Sequence, residues 1–228
     1  MMMVSFDFLS EPICFEENRI SVLCIENPKI FRMVCNAFIA DETEENKIIF
    51  SENFVPFKTK GNVLVSDDYF NPVYSNTVMK KLYEQTEKYC NAELSKETAR
   101  LKTHIVNYFE NITGEFDYDF DFDYEFNLTD LFKAINLKPV SDKYNLLNTF
   151  VDFVLIINKY IAPKCFVLFN LHLYFSDEEL DLFYNDIVNN HIKILVIECK
   201  KTFDKSKYEN IIIYDKDFCE IVENSEKI

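Results

Sequence analysis

Apolar and polar residues follow two different rhythms along this chain, and the places where the rhythm changes outline its organisation. Ile20 to Ile25 is an almost unbroken apolar run of strand length, as expected of a strand buried on both faces. Glu26-Asn27-Pro28 then opens a helix in which Ile30, Phe31, Val34, Cys35 and Phe38 fall on one stripe. Lys47 to Phe50 and Asn62 to Val65 read as short strands, the second ending at Ser66-Asp67-Asp68. From Ser75 to Ile112 the spacing turns helical. Val78, Leu82 and Tyr89 share one stripe, and Leu101, Ile105, Tyr108 and Ile112 share another, with a break near Ser95.

Asn127 is placed to cap a further helix with Asp130 at its third position, and Leu128, Leu131, Phe132 and Ile135 face inward until Pro139 stops it. Leu146 to Ile161 is apolar enough to be a central buried helix. Cys165 to Phe169, a helix opened by the capping box of Ser176 and Glu179, and Lys193 to Ile197 compose a βαβ unit, which implies a parallel pair with a right-handed crossover. Asn210 to Tyr214 supplies one more strand. The pattern predicts an α/β fold with a mostly parallel sheet built from residues 1–65 and 142–228, and a helical excursion over residues 66–141.

Between the helices lies a stretch with neither rhythm of a helix. From Glu115 to Phe126 carboxylates and aromatic rings alternate without a break. If this tract is extended, Glu115, Asp117, Asp119, Asp121, Asp123 and Glu125 share one face, about 6.8 Å apart, with six rings on the other. Six like charges in a row repel one another. Either water solvates them over an aromatic core, or a hard divalent cation with oxygen ligands relieves the repulsion. An EF-hand is excluded by spacing, because a loop starting at Asp119 puts Tyr124 where glycine is required.

Composition narrows the function further. The chain has 228 residues, 48% of them hydrophobic, so it folds around a substantial core rather than behaving as an acidic tail. Its formal charge of -15 repels nucleic acid and anionic membranes, so a polyanionic partner must meet a local basic patch or a bound cation. The seven cysteines are scattered, with no C-x-x-C, and fit a reducing cytoplasm. No basic-then-apolar leader and no apolar run of membrane-spanning length is present, so neither export nor membrane insertion is expected.

With only Gly61 and Gly114, the chain cannot form a G-x-x-x-x-G-K-[ST] phosphate loop, a G-x-G-x-x-G dinucleotide turn or a G-x-S-x-G nucleophile elbow. His104, His172 and His191 are isolated and read as surface or packing residues. The sharpest enzyme signal is Leu195-Val-Ile-Glu198-Cys-Lys200, a strand ending in Glu-x-Lys, as in divalent-metal nucleases of the restriction-endonuclease type. The strand before it carries no carboxylate, so the acidic partner of that chemistry is missing. Asn170 ends that strand, where open α/β sheets tend to bind ligands, although it could equally cap a turn.

The chain as a whole resembles the short form of the Csn-two family, accessory proteins of type II-A CRISPR adaptation modules. The resemblance rests on Phe8-Leu-Ser-Glu-Pro-Ile13, Asn62-Val-Leu-Val-Ser-Asp67, Leu131-Phe-Lys-Ala-Ile-Asn-Leu-Lys138 after an acidic segment, Phe166-Val-Leu-Phe-Asn170 and Ile194-Leu-Val-Ile-Glu198. Their order and spacing are the signal. The resemblance implies an α/β head, similar to P-loop ATPases without the nucleotide loop, with an inserted helical leg domain. It also implies a calcium-stabilised homotetrameric ring whose basic channel holds double-stranded DNA and loads at free ends, working with the CRISPR integrase proteins and effector nuclease in spacer acquisition. Calcium ligands would come from Asp117, Asp119, Asp121, Asp123, Glu125 and Asp130. DNA contacts would come first from Lys133 and Lys138, then from Lys58, Lys60 and Lys143. No catalytic residue is implied; the alternative is a metal-dependent nuclease using Glu198 and Lys200.

Overall fold

The computed structural model describes residues 1–70, 72–113, 115–117, 120–140 and 145–223. The chain divides into two compact units, one formed by Met1–Pro72 with Asp142–Ile228 and the other by Val73–Ser141.

The first unit is built on a six-stranded sheet. Its strands are β3 (Ile20–Ile25), β6 (Val63–Ser66), β7 (Cys165–Phe169), β8 (Ile194–Glu198), β9 (Glu209–Tyr214) and β10 (Glu220–Glu223), in the order β10-β9-β3-β8-β7-β6. All neighbours are parallel except β10, which runs antiparallel to β9 at one edge. The unbroken apolar runs are explained by their place: β3, β7 and β8 are buried along their whole length. Alternate residues Leu23, Ile25, Val167, Phe169, Leu195 and Ile197 belong to one core cluster with Val34, Ala37 and Phe38 of helix α1 (Pro28–Ile39). The intervening residues, such as Val22, Phe166 and Val196, are equally buried. Two helices with one buried face each, α5 (Leu146–Tyr160) and α6 (Asp177–Asn189), pack against each other, with Phe150 and Phe183 ring centroids 5.5 Å apart. The capping box of Ser176 and Glu179 starts α6 with both reciprocal hydrogen bonds formed.

A second, antiparallel sheet extends the same core. It orders β2 (Ile13–Cys14), β1 (Met2–Ser5), β4 (Ile49–Glu52) and β5 (Val55–Phe57), and its Met2, Val4, Ile13 and Phe50 join the cluster around α1. The strand expected at Lys47 to Phe50 therefore lies here, at Ile49–Glu52, and not beside the strand at Val63.

Because glycine is nearly absent, other residues take the left-handed turns. Gly61 has φ 79°, but Asn18, Asn53, Asn136 and Asn170 also hold positive φ, as asparagine tolerates, and so do Phe54 and Ala162, which do so at a cost. The turn from β3 into α1 shows a further consequence. In nucleotide-binding α/β folds such a turn offers helix N–H groups to a phosphate. Here Asn27 Oδ1 accepts from Lys29 N at 3.0 Å and from Ile30 N at 3.4 Å, and Pro28 has no N–H to offer. The helix start is closed by its own sequence.

The second unit holds α2 (Asn76–Glu93), α3 (Ser95–Thr113) and α4 (Leu128–Ala134). Its small core is Tyr83, Leu128 and Phe132, with Met79, Cys90 and Leu131 packed around it. The Tyr83 hydroxyl donates to Leu137 O at 2.8 Å. The buried stripe of α2 thus runs through Val78 and Tyr83, while Tyr89, expected inward, is exposed. Ile135, also expected inward, is 62% exposed, because α4 ends at Ala134. Asn127 stands at the N-cap position without a side-chain cap; Leu128 N donates instead to Glu87 Oε1 at 2.7 Å, so the cap comes from α2.

Candidate nucleic-acid interface and cation-binding tract

The acidic tract forms no strand among its described residues. Glu115, Asp117, Asp121, Asp123 and Glu125 are exposed, but so are Phe116, Phe120 and Tyr124, at 48%, 46% and 60%. Among the described residues the rings therefore divide: Phe122 and Phe126 are half-buried, while Phe116, Phe120 and Tyr124 face outward rather than over a core. Among the described residues no neighbouring strand supplies a hydrogen-bonding edge and no ion pair offsets the repulsion along one extended face. The rings pair locally instead, Phe116 with Phe120 at 5.3 Å and Phe122 with Tyr124 at 4.8 Å between centroids. Phe122 also reaches Phe109 of α3, 5.9 Å away.

Of the expected cation ligands, Asp117, Asp121, Asp123 and Glu125 make no ion pair among the described residues, and Asp119 lies outside them. Asp130 differs, since its Oδ1 accepts from Lys133 Nζ at 2.9 Å. All these donors are oxygens, which suits a hard cation, yet among the described residues no three acidic, histidine or cysteine side chains converge on one point. The donor chemistry fits calcium, while the described residues hold no assembled cage.

The expected DNA-contacting lysines are scattered. Lys133 and Lys138 are exposed on and after α4, with Lys133 engaged by Asp130. Lys58 and Lys60 are exposed in the other unit but line a surface cavity with Asp41, Glu42, Glu44 and Glu45, whose charges outweigh theirs. Lys143 lies outside the described residues.

The structure reveals one polar constellation that sequence reasoning did not assemble. His172 follows β7 on a short 3-10 turn, Leu171–Leu173, and its side chain is 4% exposed. Its Nδ1 lies 2.7 Å from Glu198 Oε1 and its Nε2 lies 2.7 Å from Glu209 Oε1, carboxylates whose side chains are 3% and 0% exposed. Glu209 also accepts from the Tyr184 hydroxyl at 2.8 Å and from Ser206 N at 3.0 Å. Phe203 stacks on the imidazole, with centroids 3.5 Å apart and planes 14° from parallel. Burial disfavours the charged imidazole, but the two carboxylates outweigh it and raise its pKa to about 9. His172 is thus a buried cation clamped between β8 and β9: it is a packing residue, as one of its two expected readings had it, but not an isolated one.

The clamp changes the Glu-x-Lys motif as well. Glu198 is consumed by His172, whose backbone N–H also donates to it at 3.0 Å, while Lys200 is exposed beyond the strand end. Glu198 is therefore engaged elsewhere than at the water a nuclease would aim it at. The strand preceding β8 in sequence is its parallel neighbour β7, not the antiparallel partner of the nuclease arrangement. Asn170 Oδ1 accepts from Cys199 N at 3.0 Å and acts as a turn residue.

Among curated proteins, none matches this chain. A Pyrococcus furiosus structure described as an ABC transporter (ATP-binding protein) aligns over 92% of this chain and 94% of its own, at 13% identity and a TM-score of 0.38. Nothing of the site is carried over from so loose a likeness. No helix among the described residues is long and apolar enough to cross a membrane. A model of the family described as CRISPR-associated protein (Cas_Csn2) matches residues 40–218, most of both units, and the chain belongs to that family.

Proposed function

We propose that this protein is a non-catalytic, calcium-dependent ring that binds ends of double-stranded DNA during CRISPR spacer acquisition. The observation that carries the reading is the family match over residues 40–218, which includes an exposed run of carboxylates, four of which pair with no cationic side chain among the described residues. Calcium, when bound, would supply the missing positive charge. Asp117, Asp119, Asp121, Asp123 and Glu125 would hold it, with Asp130 joining only after releasing Lys133.

A homotetrameric ring also reconciles a net charge of -15 with a DNA partner. Lysines gathered on an inner wall meet phosphates at short range, while the outer carboxylates are solvated or neutralised by calcium. Phosphate contacts read no sequence, so the duplex slides, and closure of the ring makes a free end the point of entry. Lys133, Lys138, Lys58, Lys60 and Lys143 are the proposed contacts from the family pattern. The protein works in the cytoplasm beside the integrase proteins and the effector nuclease. The closed turn at Asn27-Pro28 supports a role that hydrolyses no nucleotide.

The test is one gel. Linear and covalently closed duplexes of equal length are mixed with the protein in calcium, in magnesium and in chelator. Calcium-dependent retention of linear DNA with all strands intact is the expected result. Magnesium-dependent shortening supports the nuclease alternative instead, and no retention in any condition overturns the DNA-binding reading.

A further inference from the structure

Helix α3 spans 19 residues without burying any of them, which is unusual for a helix that carries an amphipathic pattern. At about 100° per residue its two faces separate cleanly. Ile105, Val106 and Phe109 line an apolar hollow of about 300 Å³ together with Phe122, Phe126 and Leu131. On the opposite face lie Lys96, Arg100, His104, Asn107 and Asn111, all exposed. Their spacing of four, four, three and four residues keeps them in one row about 22 Å long.

The row is chemically uniform. Every member donates hydrogen bonds and no carboxylate interrupts it, although acidic residues outnumber basic ones 39 to 24 in the chain. Glu97 and Glu110 sit on its flanks, turned about 50° or more from its axis. Lys96, Arg100 and His104 have no ion pair among the described residues. The lysines favoured by the family pattern are less free: Lys133 is held by Asp130, and Lys58 and Lys60 face four carboxylates.

We infer that the outward face of α3 tracks the phosphate backbone of duplex DNA, with Lys96 and Arg100 as the charged contacts and His104, Asn107 and Asn111 as further donors. The inference rests on the DNA-binding reading above and gives it a specific surface. Charge complementarity selects the partner. A straight row of donors with no acceptor carboxylate matches a backbone that carries one charge per about 1.7 Å of duplex, and it offers nothing with which to tell one base from another.

The test compares the full-length protein, a Lys96→Ala/Arg100→Ala variant, and a Lys29→Ala/Arg32→Ala variant that removes the same charge from exposed positions on α1. Affinity for a linear duplex is measured across a salt series, with thermal unfolding to confirm that each variant is folded. Loss of two phosphate contacts lowers the slope of log K against log salt by about 1.8, equivalent to about thirtyfold weaker binding near 0.15 M salt. The α1 variant changes neither by a comparable amount. If the wild-type protein binds and the α3 variant binds with the same affinity and slope, the inference is overturned while DNA binding stands. If the α3 variant keeps DNA affinity but loses self-association on a sizing column, the face contacts protein, and the inference is again overturned. If the wild type binds no duplex in calcium, both readings fall.

Discussion

Replacing His172 with glutamine tests the buried clamp most directly. In the folded protein the imidazole has a pKa of about 9, against an ordinary value of 6.5. A group whose folded pKa is raised contributes stability that is fully present below its unfolded pKa and is lost as pH rises through its folded pKa. The clamp therefore contributes about 3 kcal/mol below about pH 6, about 2 kcal/mol near pH 7.5, and almost nothing above about pH 10. For a chain of this size that corresponds to a fall in Tm of roughly 6–12 °C between the two ends of the range. Glutamine can donate to only one of Glu198 and Glu209, leaving the other a buried carboxylate without its cation, at about 3–5 kcal/mol near neutral pH. Urea unfolding of wild type and variant from pH 6 to 10 measures both quantities. The variant is expected to be less stable at neutral pH and to have a flatter pH profile, the two curves converging at the alkaline end. Parallel curves across that range would refute the reasoning, because the alkaline loss would then belong to other groups.

Four further outcomes are expected. Tyr69→Phe removes the hydroxyl that donates to Phe169 O at 2.8 Å in a buried site, and loss of that hydrogen bond costs about 1 kcal/mol in urea unfolding. Phe54→Gly relaxes a left-handed phenylalanine whose ring is exposed, and stabilises the protein by about 0.5–1 kcal/mol in the same assay. Glu87→Ala removes the acceptor for Leu128 N and speeds amide exchange over residues 128–131 with little change elsewhere. Asp121→Asn with Asp123→Asn abolishes a calcium-dependent slowing of amide exchange in residues 120–126; persistence of that slowing in the double variant would place the cation elsewhere.

The parts of the fold that were legible in sequence are those whose cause is local. The apolar runs at Ile20, Cys165 and Lys193 are strands because nothing but burial on both faces accommodates them, and the Ser176 and Glu179 pair marks a helix start within four residues. The small antiparallel sheet escaped because β2 and β5 have two and three residues, too few for a period to show. The alternation at Glu115 to Phe126 misled for the opposite reason. It has the period of a strand, but among the described residues no partner strand gives that period a use. The His172 clamp joins positions 26 and 37 residues apart, so no spacing rule reaches it. One signal was available: Glu198 ends an apolar run on a central strand, and a carboxylate buried there requires a cation. With three histidines in the chain, the search for that cation is short.

The place of β3 in its sheet has a consequence for how the chain is made. β3 is complete by residue 25, yet the strands that pair with its two edges, β8 and β9, are residues 194–198 and 209–214. During synthesis this six-residue strand emerges well before its partners and waits, both edges open, until residues 194–214 have left the ribosome. Closing so long a loop adds little to the free energy of the finished fold, because that cost grows only with the logarithm of its length. It delays the first native pairing of β3 until residues 194–214 have been made, and over that interval the nascent chain depends on α1 and the early hairpin strands to shield Ile20 to Ile25 from other chains.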